Sequence, residues 1–490
     1  MLSPHAPISP PPSPASSEPL WPRAFTNLRK EQRFSPLRVT GSVPLELAGT
    51  LYWNGAALFD RLGHRSRAWI DTEGAVGAVR IGGGRAEGAL AFVRTRSFRA
   101  EETAGRRLYS RYDRRSPRPL REHWLGESRN PGNTSVWAHR GRLFALCPAG
   151  VPVEIAAEDL STLGEHDFDG LVGPGFSAHA SYSRQRRAFY NFAVRAGRTT
   201  TLDLFEFKDD GQARRIAQVP IAGPSFVHDF AVTDRFAIFL VPPLRVQPLG
   251  LLFNLKTLGE CLRWRGSEPA ELVVIPLDAP DQVVRIETDA VLGFHFANAY
   301  EQGGKIICDM PLTFDGARAF EWVVRVAGGQ VAENPDNRLH RIEIDLDRHC
   351  LHAQPLTEIA GESPRISPFV ENAPHRYVYM TAFRGQLPSY VNVLCKVDTT
   401  REATTIIDFG AERYPAEPVF VPRPTPQSED DGYLLSLVYD GPSHRSYLAV
   451  LDARRPASGP LAELWFDQHV PPPFHGTWVD PRWNGAHVRP

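Results

Sequence analysis

From Thr50 to Asp440 the chain repeats one local pattern, a short run of β-branched and aromatic residues bounded by Gly, Pro, Asp or Asn. The runs are "TLYWNG" at Thr50, "RLFALC" at Arg142, "RAFYNFAV" at Arg187, "RFAIFLV" at Arg235, "KIICDM" at Lys305, "RYVYMTAF" at Arg376 and "YLLSLVYD" at Tyr433. Runs of this kind read as strands. Several are followed by a second strand that ends in an acidic turn: "TLDLFEFKDDG", "LHRIEIDLD", "YVNVLCKVDTT" and "SYLAVLDA". Long amphipathic helical stretches are scarce. Strand pairs recurring every 45 to 70 residues or so, roughly, predict a β-propeller with decorated blades. Seven runs predict an all-β fold of seven blades.

Upstream of these strands stands a second pattern. "GFSAHASYS" puts His179 eight residues before Arg187, and "PSFVHDFAVT" puts His228 seven before Arg235. His295, in "FHFANAYEQGGKIICDM", lies ten before Lys305, and the last such strand, "PPPFHGTWV", carries His475. In the fifth and sixth units the matching place holds an acid, Glu362 in "GESPRISP" and Glu417 in "YPAEPVFVP". The first strand of each propeller blade lines the central axis, so equivalent residues on successive inner strands converge into a ring. One imidazole in an apolar strand is usually a hydrogen-bonded core residue. Four at equivalent places predict a metal site.

Neutral imidazole suits Zn, Cu, Fe and Ni, and four nitrogens leave an octahedral ion two open positions. Open positions mean chemistry on a bound molecule, whereas structural zinc closes its shell. Glu362 and Glu417 would accept the ligand N–H groups and fix their tautomers. Other histidines, among them His64, His123, His349 and His469, lie in polar or turn contexts and are expected at the surface.

Composition removes competing classes. Net charge is −1, with 55 Lys and Arg against 56 Asp and Glu, so no overall field favours nucleic acid. Five cysteines without Cys-x-x-Cys spacing argue against a disulfide framework and a thiolate zinc site. A reducing, cytoplasmic location is therefore expected. No uninterrupted apolar run reaches the length of about 18 residues that a membrane span needs. The Pro- and Ser-rich start, "MLSPHAPISPPPSPASSEPLWP", has neither a basic n-region nor an apolar h-region. Residues 1–22 are expected to be disordered and 23–490 to form one domain.

Dispersed strings carry a family resemblance. "FVRTRSF…EETAGRRLYSRY", "SAHASY", "FVHDFAVT", "FHFANAYEQGGKIICDM", "ESPRISP…HRYVYM", "AEPVFVPRP…EDDGYLL" and "PFHGTWV" resemble carotenoid cleavage oxygenases, most of all the apocarotenoid oxygenase branch. The resemblance runs collinearly from about Phe34 to Val479. It implies a seven-bladed propeller with a partly helical cap over an axial, non-haem Fe(II), one per chain. The implied ligands are His179, His228, His295 and His475, with Glu362 and Glu417 behind them. The implied reaction is O₂-dependent scission of a conjugated C=C bond of a carotenoid or apocarotenoid to aldehydes such as retinal, the central 15,15′ bond among the candidates. Stilbenoid cleavage, retinoid isomerase-like chemistry and an impaired polyene-binding protein stand as alternatives.

Two departures stand out. The family's third glutamate usually lies in a "WEGG"-like strand end, whereas here "LFALCPAGVP" has Pro148 at that place. Proline has no side-chain acceptor, so one ligand, expected to be His228, loses its carboxylate. The family's "FDGDGM" segment is altered to "WIDTEGAVG" from Trp69 to Gly77, which alters the local turn. The apolar, Pro-punctuated stretch Phe239 to Trp264 is too irregular for a blade strand. It is expected to form the lip of an apolar tunnel and to offer a peripheral membrane contact.

Overall fold

A computed structural model of the chain describes residues 18–125, 129–148, 150–385 and 388–480. The expectation of a disordered start over residues 1–22 lies mostly outside them. Trp21–Ala24 already forms a 3₁₀ turn, with Trp21 and Phe25 buried in an aromatic cluster with Trp69 and Tyr390.

All seven predicted runs are strands. They appear as Gly49–Leu58, Arg142–Leu146, Ala188–Arg195, Phe236–Val241, Lys305–Leu312, Tyr377–Ala382 and Gly432–Asp440. Each lies inside an antiparallel sheet. Three sheets have four strands each. A seven-stranded sheet is two four-stranded fans that share the long strand Cys350–Arg365. The two ends of the chain stitch the structure together. Pro473–Val479 pairs with Gly49–Leu58, and Arg38–Gly41 pairs with Ala462–Trp465.

The middle strands are buried on both faces, which is why "YLLSLVYD" reads as a continuous run and not an alternating one. Leu204 and Phe192 of one sheet, for example, meet Phe239 and Val273 of the next. Turn chemistry fixes the register. Gly303 and Gly304, both at positive φ, close the two-residue hairpin between Asn298–Gln302 and Lys305–Leu312.

Helices are few and lie outside the sheets. They include Arg96–Ala104, capped by Thr95, and Gly316–Arg325, capped by Asp315. Phe239–Trp264 is not one irregular insertion. Its first three residues complete the strand Phe236–Val241, because their side chains belong to the core. The rest is a small unit of two short strands and two short helices, Leu244–Val246, Pro248–Leu252, Leu258–Cys261 and Leu262–Trp264. Leu249, Leu255, Leu252 and Phe253 of this unit are exposed, beside exposed Trp124. Among the described residues no helix is long and apolar enough to cross a membrane, and no cysteine is in a disulfide.

Candidate metal centre

The structure brings His179, His228, His295 and His475 together from residues up to three hundred positions apart. One ligand atom of each lies within 4.8 Å of those of the others. Nε2 of His228 is 3.1 Å from Nε2 of His179 and 3.2 Å from Nε2 of His295. Only His475 lies within a strand. The other three stand two or three residues before the inner strands Ser181–Ser183, Phe230–Val232 and Asn298–Gln302, and not inside them as the sequence led us to expect. At a strand's entrance the ring escapes the face-to-face alternation of the ladder and can turn to a shared centre. These inner strands pack side by side, which brings the three rings together.

The surroundings keep the rings neutral. Burial first, then the neighbouring imidazoles, hold His179, His228 and His295 well below the usual histidine range. With Nε2 turned inward, each Nδ1–H needs an acceptor. His295 Nδ1 donates to Glu362 Oε2 at 2.7 Å, and His475 Nδ1 donates to Glu417 Oε1 at 2.9 Å. Both predicted acids therefore stand where the sequence placed them.

The two carboxylates differ. Burial pushes Glu362 up to about 7. Burial acts the same way on Glu417, but Arg365 and His475 outweigh it and hold that group at about 2. Arg365 approaches Glu417 at 2.9 Å, and the backbone N–H of Gly476 donates to it at 2.8 Å.

His228 has no such partner. Its Nδ1 is buried without a hydrogen bond among the described residues. Pro148 and Cys147 line the same cavity as His228. His179 Nδ1 comes no closer than 3.9 Å to Asp229, too far for a hydrogen bond.

Of the other histidines, all expected at the surface, His64, His139, His340, His375 and His469 are buried. His469 contacts the hydroxyl of Thr26 at 3.1 Å, and His64 faces Asp113 at 3.1 Å. His123 is partly exposed and bonds the carbonyl of Leu251, and His349 is exposed at a turn. The altered segment Trp69 to Gly77 forms a 3₁₀ turn, Trp69–Asp71, and the start of the strand Glu73–Gly82. Asp71 and Glu73 pair with the buried Arg129, and Trp69 stacks on Phe474 next to His475.

Two cavities meet at the histidines. One, of about 590 Å³, is walled chiefly by apolar side chains such as Trp69, Phe226, Phe294, Trp322 and Tyr390, and reaches Leu251 and the exposed Leu252. Phe226 lies parallel to the ring of His228, with centroids 5.7 Å apart. The other, of about 300 Å³, is more polar and contains Asp229, Arg365 and Glu371. The sequence did not reveal the first cavity's walls, because they come from segments far apart in the chain with no shared pattern.

This donor set fits a divalent transition metal: four converging imidazoles, three of them held neutral by their surroundings, and two with their second nitrogen fixed by a carboxylate. Comparisons with known proteins point the same way. The family model described as retinal pigment epithelial membrane protein matches residues 25–480. Apocarotenoid-15,15′-oxygenase of Synechocystis is 31% identical over 94% of this chain and 96% of its own length. Isoeugenol monooxygenase of Pseudomonas nitroreducens is 27% identical over 92% and 96%. The crystal structure of cobalt-substituted Synechocystis apocarotenoid oxygenase superposes with a TM-score of 0.84 at 30% identity, covering 94% of this chain and 98% of that one.

Proposed function

This chain belongs to the carotenoid cleavage oxygenase family, that of retinal pigment epithelial membrane protein, and from that premise we propose that it is a non-haem Fe(II) dioxygenase that cleaves a conjugated C=C bond of an apocarotenoid to two carbonyl fragments. The observation that carries this reading is the convergence of four imidazoles, three of which, His228, His295 and His475, line an apolar cavity.

In this reading His179, His228, His295 and His475 hold one ion per chain, and Glu362 and Glu417 orient His295 and His475. The bound ion supplies activation of O₂. The chain's own part is position. The apolar walls exclude water and hold an extended, flat ligand, with the rings of Phe226 and Phe294 beside His228. The bond brought to the centre is the bond that breaks. No side chain needs to move a proton.

The same reading takes the sheets as seven blades of a propeller within one domain, with Cys350–Arg365 shared by two of them and Pro473–Val479 closing the ring. The exposed Leu249, Leu252, Phe253 and Leu255, at the leucine-lined end of the cavity, form a peripheral membrane contact through which a polyene enters.

The direct test incubates iron-loaded protein with apocarotenals, stilbenes and isoeugenol while O₂ uptake and products are followed. Two aldehydes from an apocarotenal, with O₂ consumed, are expected. Turnover of isoeugenol or stilbenes alone would favour the second reading that the isoeugenol monooxygenase relative raises. No uptake with any of them would overturn both and leave a polyene-binding protein.

A further inference from the structure

We infer that Tyr112 and Phe320 form the end wall of the ligand cavity and so set the length of conjugated chain this protein accepts, an inference that rests on the proposed function. A further cavity of about 710 Å³ lies behind the metal-facing one, and Tyr112 and Phe320 line both. The partition between them is thin. The segment 67–70 gives Trp69 and Ile70 to the metal side and Arg67 and Ala68 to the far side. The helix Gly316–Arg325 gives Trp322 and Val323 to the metal side and Glu321 and Arg325 to the far side. Leu258 faces the metal side, whereas Thr257 and Glu260 face away.

A row of rings ties this wall to the metal centre. Tyr112 and Phe320 have centroids 6.4 Å apart, Phe320 and Phe226 5.6 Å, and Phe226 and His228 5.7 Å. Phe320 therefore stands two ring contacts from a candidate ligand and Tyr112 three, a separation fixed by packed side chains. Phe320 is buried on the capped helix. The ring of Tyr112 sits where Gly259 has no side chain, for a Cβ there would come within 2.6 Å of it. The far side of the wall carries charge. Behind it stand Arg67, Arg263 and Arg325 with Asp113, Glu260 and Glu321. An apolar chain end that reached past Phe320 would meet ionic groups, so ring bulk and charge act together to stop it there.

The test uses iron-loaded protein held without oxygen and a series of conjugated aldehydes of increasing length, with binding read from quenching of tryptophan fluorescence. In the natural protein affinity is expected to fall by about tenfold or more beyond a limiting length, the discrimination a filled apolar pocket gives. Phe320→Ala, alone and with Tyr112→Ala, should join the two cavities and abolish that fall. Phe320→Leu, which keeps most of the bulk, should retain it, and thermal unfolding checks that each variant is folded. A length limit unchanged in the folded Phe320→Ala variant overturns this inference alone. Failure of the natural protein to bind any member of the series overturns the proposed function and this inference with it.

Discussion

The histidine cluster has two unlike sides. On one, His295 and His475 each pass the outer N–H to a buried carboxylate at 2.7 and 2.9 Å. On the other, His228 turns its Nε2 inward in the same way, yet its Nδ1 is buried with no hydrogen bond among the described residues. An unmade buried hydrogen bond costs about 1–3 kcal/mol. The supported rings have one tautomer and one orientation fixed before any ion arrives. The unsupported ring must be held by packing alone, here against Phe226 and Phe294. The contrast teaches that convergence of ligands and support of ligands are separate properties. This chain has the first in full and the second in part.

The largest effect should come from the supported side. His295→Ala removes a ring at the middle of the cluster and leaves Glu362 without its imidazole donor. Iron retention after gel filtration, measured by elemental analysis, should be lost along with turnover, while circular dichroism stays that of the folded protein. Full iron content in that variant would break the convergence argument itself.

Removing charge behind the rings should cost less. Glu417→Gln and Glu362→Gln keep shape but weaken the accepted N–H bond, and loss of such a partner typically costs 10–100-fold in metal affinity or activity. Glu417 should lie at the upper end. Besides His475 it serves Arg365 and the backbone of Gly476, so the change also strips a guanidinium of its counter-charge. Glu362 answers only His295, Asn337 and the backbone of Ser363, and should lie at the lower end. Competitive chelation gives both affinities. Equal losses, or none, would mean that the two sides of the cluster do not differ as their contacts imply.

What the sequence disclosed follows from what repeats in it. The strand runs and the histidines before them recur at matching places, so both were legible by position, and the acids at Glu362 and Glu417 filled the gaps in the same series. His64 and His469 were misread because their partners, Asp113 and Thr26, carry no repeat that would announce them. The partition at Tyr112 and Phe320 escaped for the same reason: its parts come from four separate segments, and neither residue has a marked local context. Pro148 was legible only as a departure from a family pattern.

The smallest and most discriminating change would make the two sides alike. Pro148→Glu offers an acceptor near His228, but it also frees a backbone N–H just beyond the strand Arg142–Leu146 and can disturb the pairing there. The double change Cys147→Trp with Pro148→Glu is the better variant, since the larger neighbour fills the wall against which the new carboxylate must lean. Iron affinity should rise by up to about tenfold, the low end of what such partners contribute, with turnover level or higher. A well-folded double variant with unchanged affinity would show that packing against Phe226 already fixes the ring as firmly as a carboxylate does. A loss of affinity would place the new acid on the wrong side of the strand, because shifting a strand by one residue turns every side chain to the opposite face. The two failures are separable by pairing the double change with Glu417→Gln. If the new carboxylate supports the cluster, it should recover part of the affinity that Glu417→Gln removes, and a misdirected one should recover none.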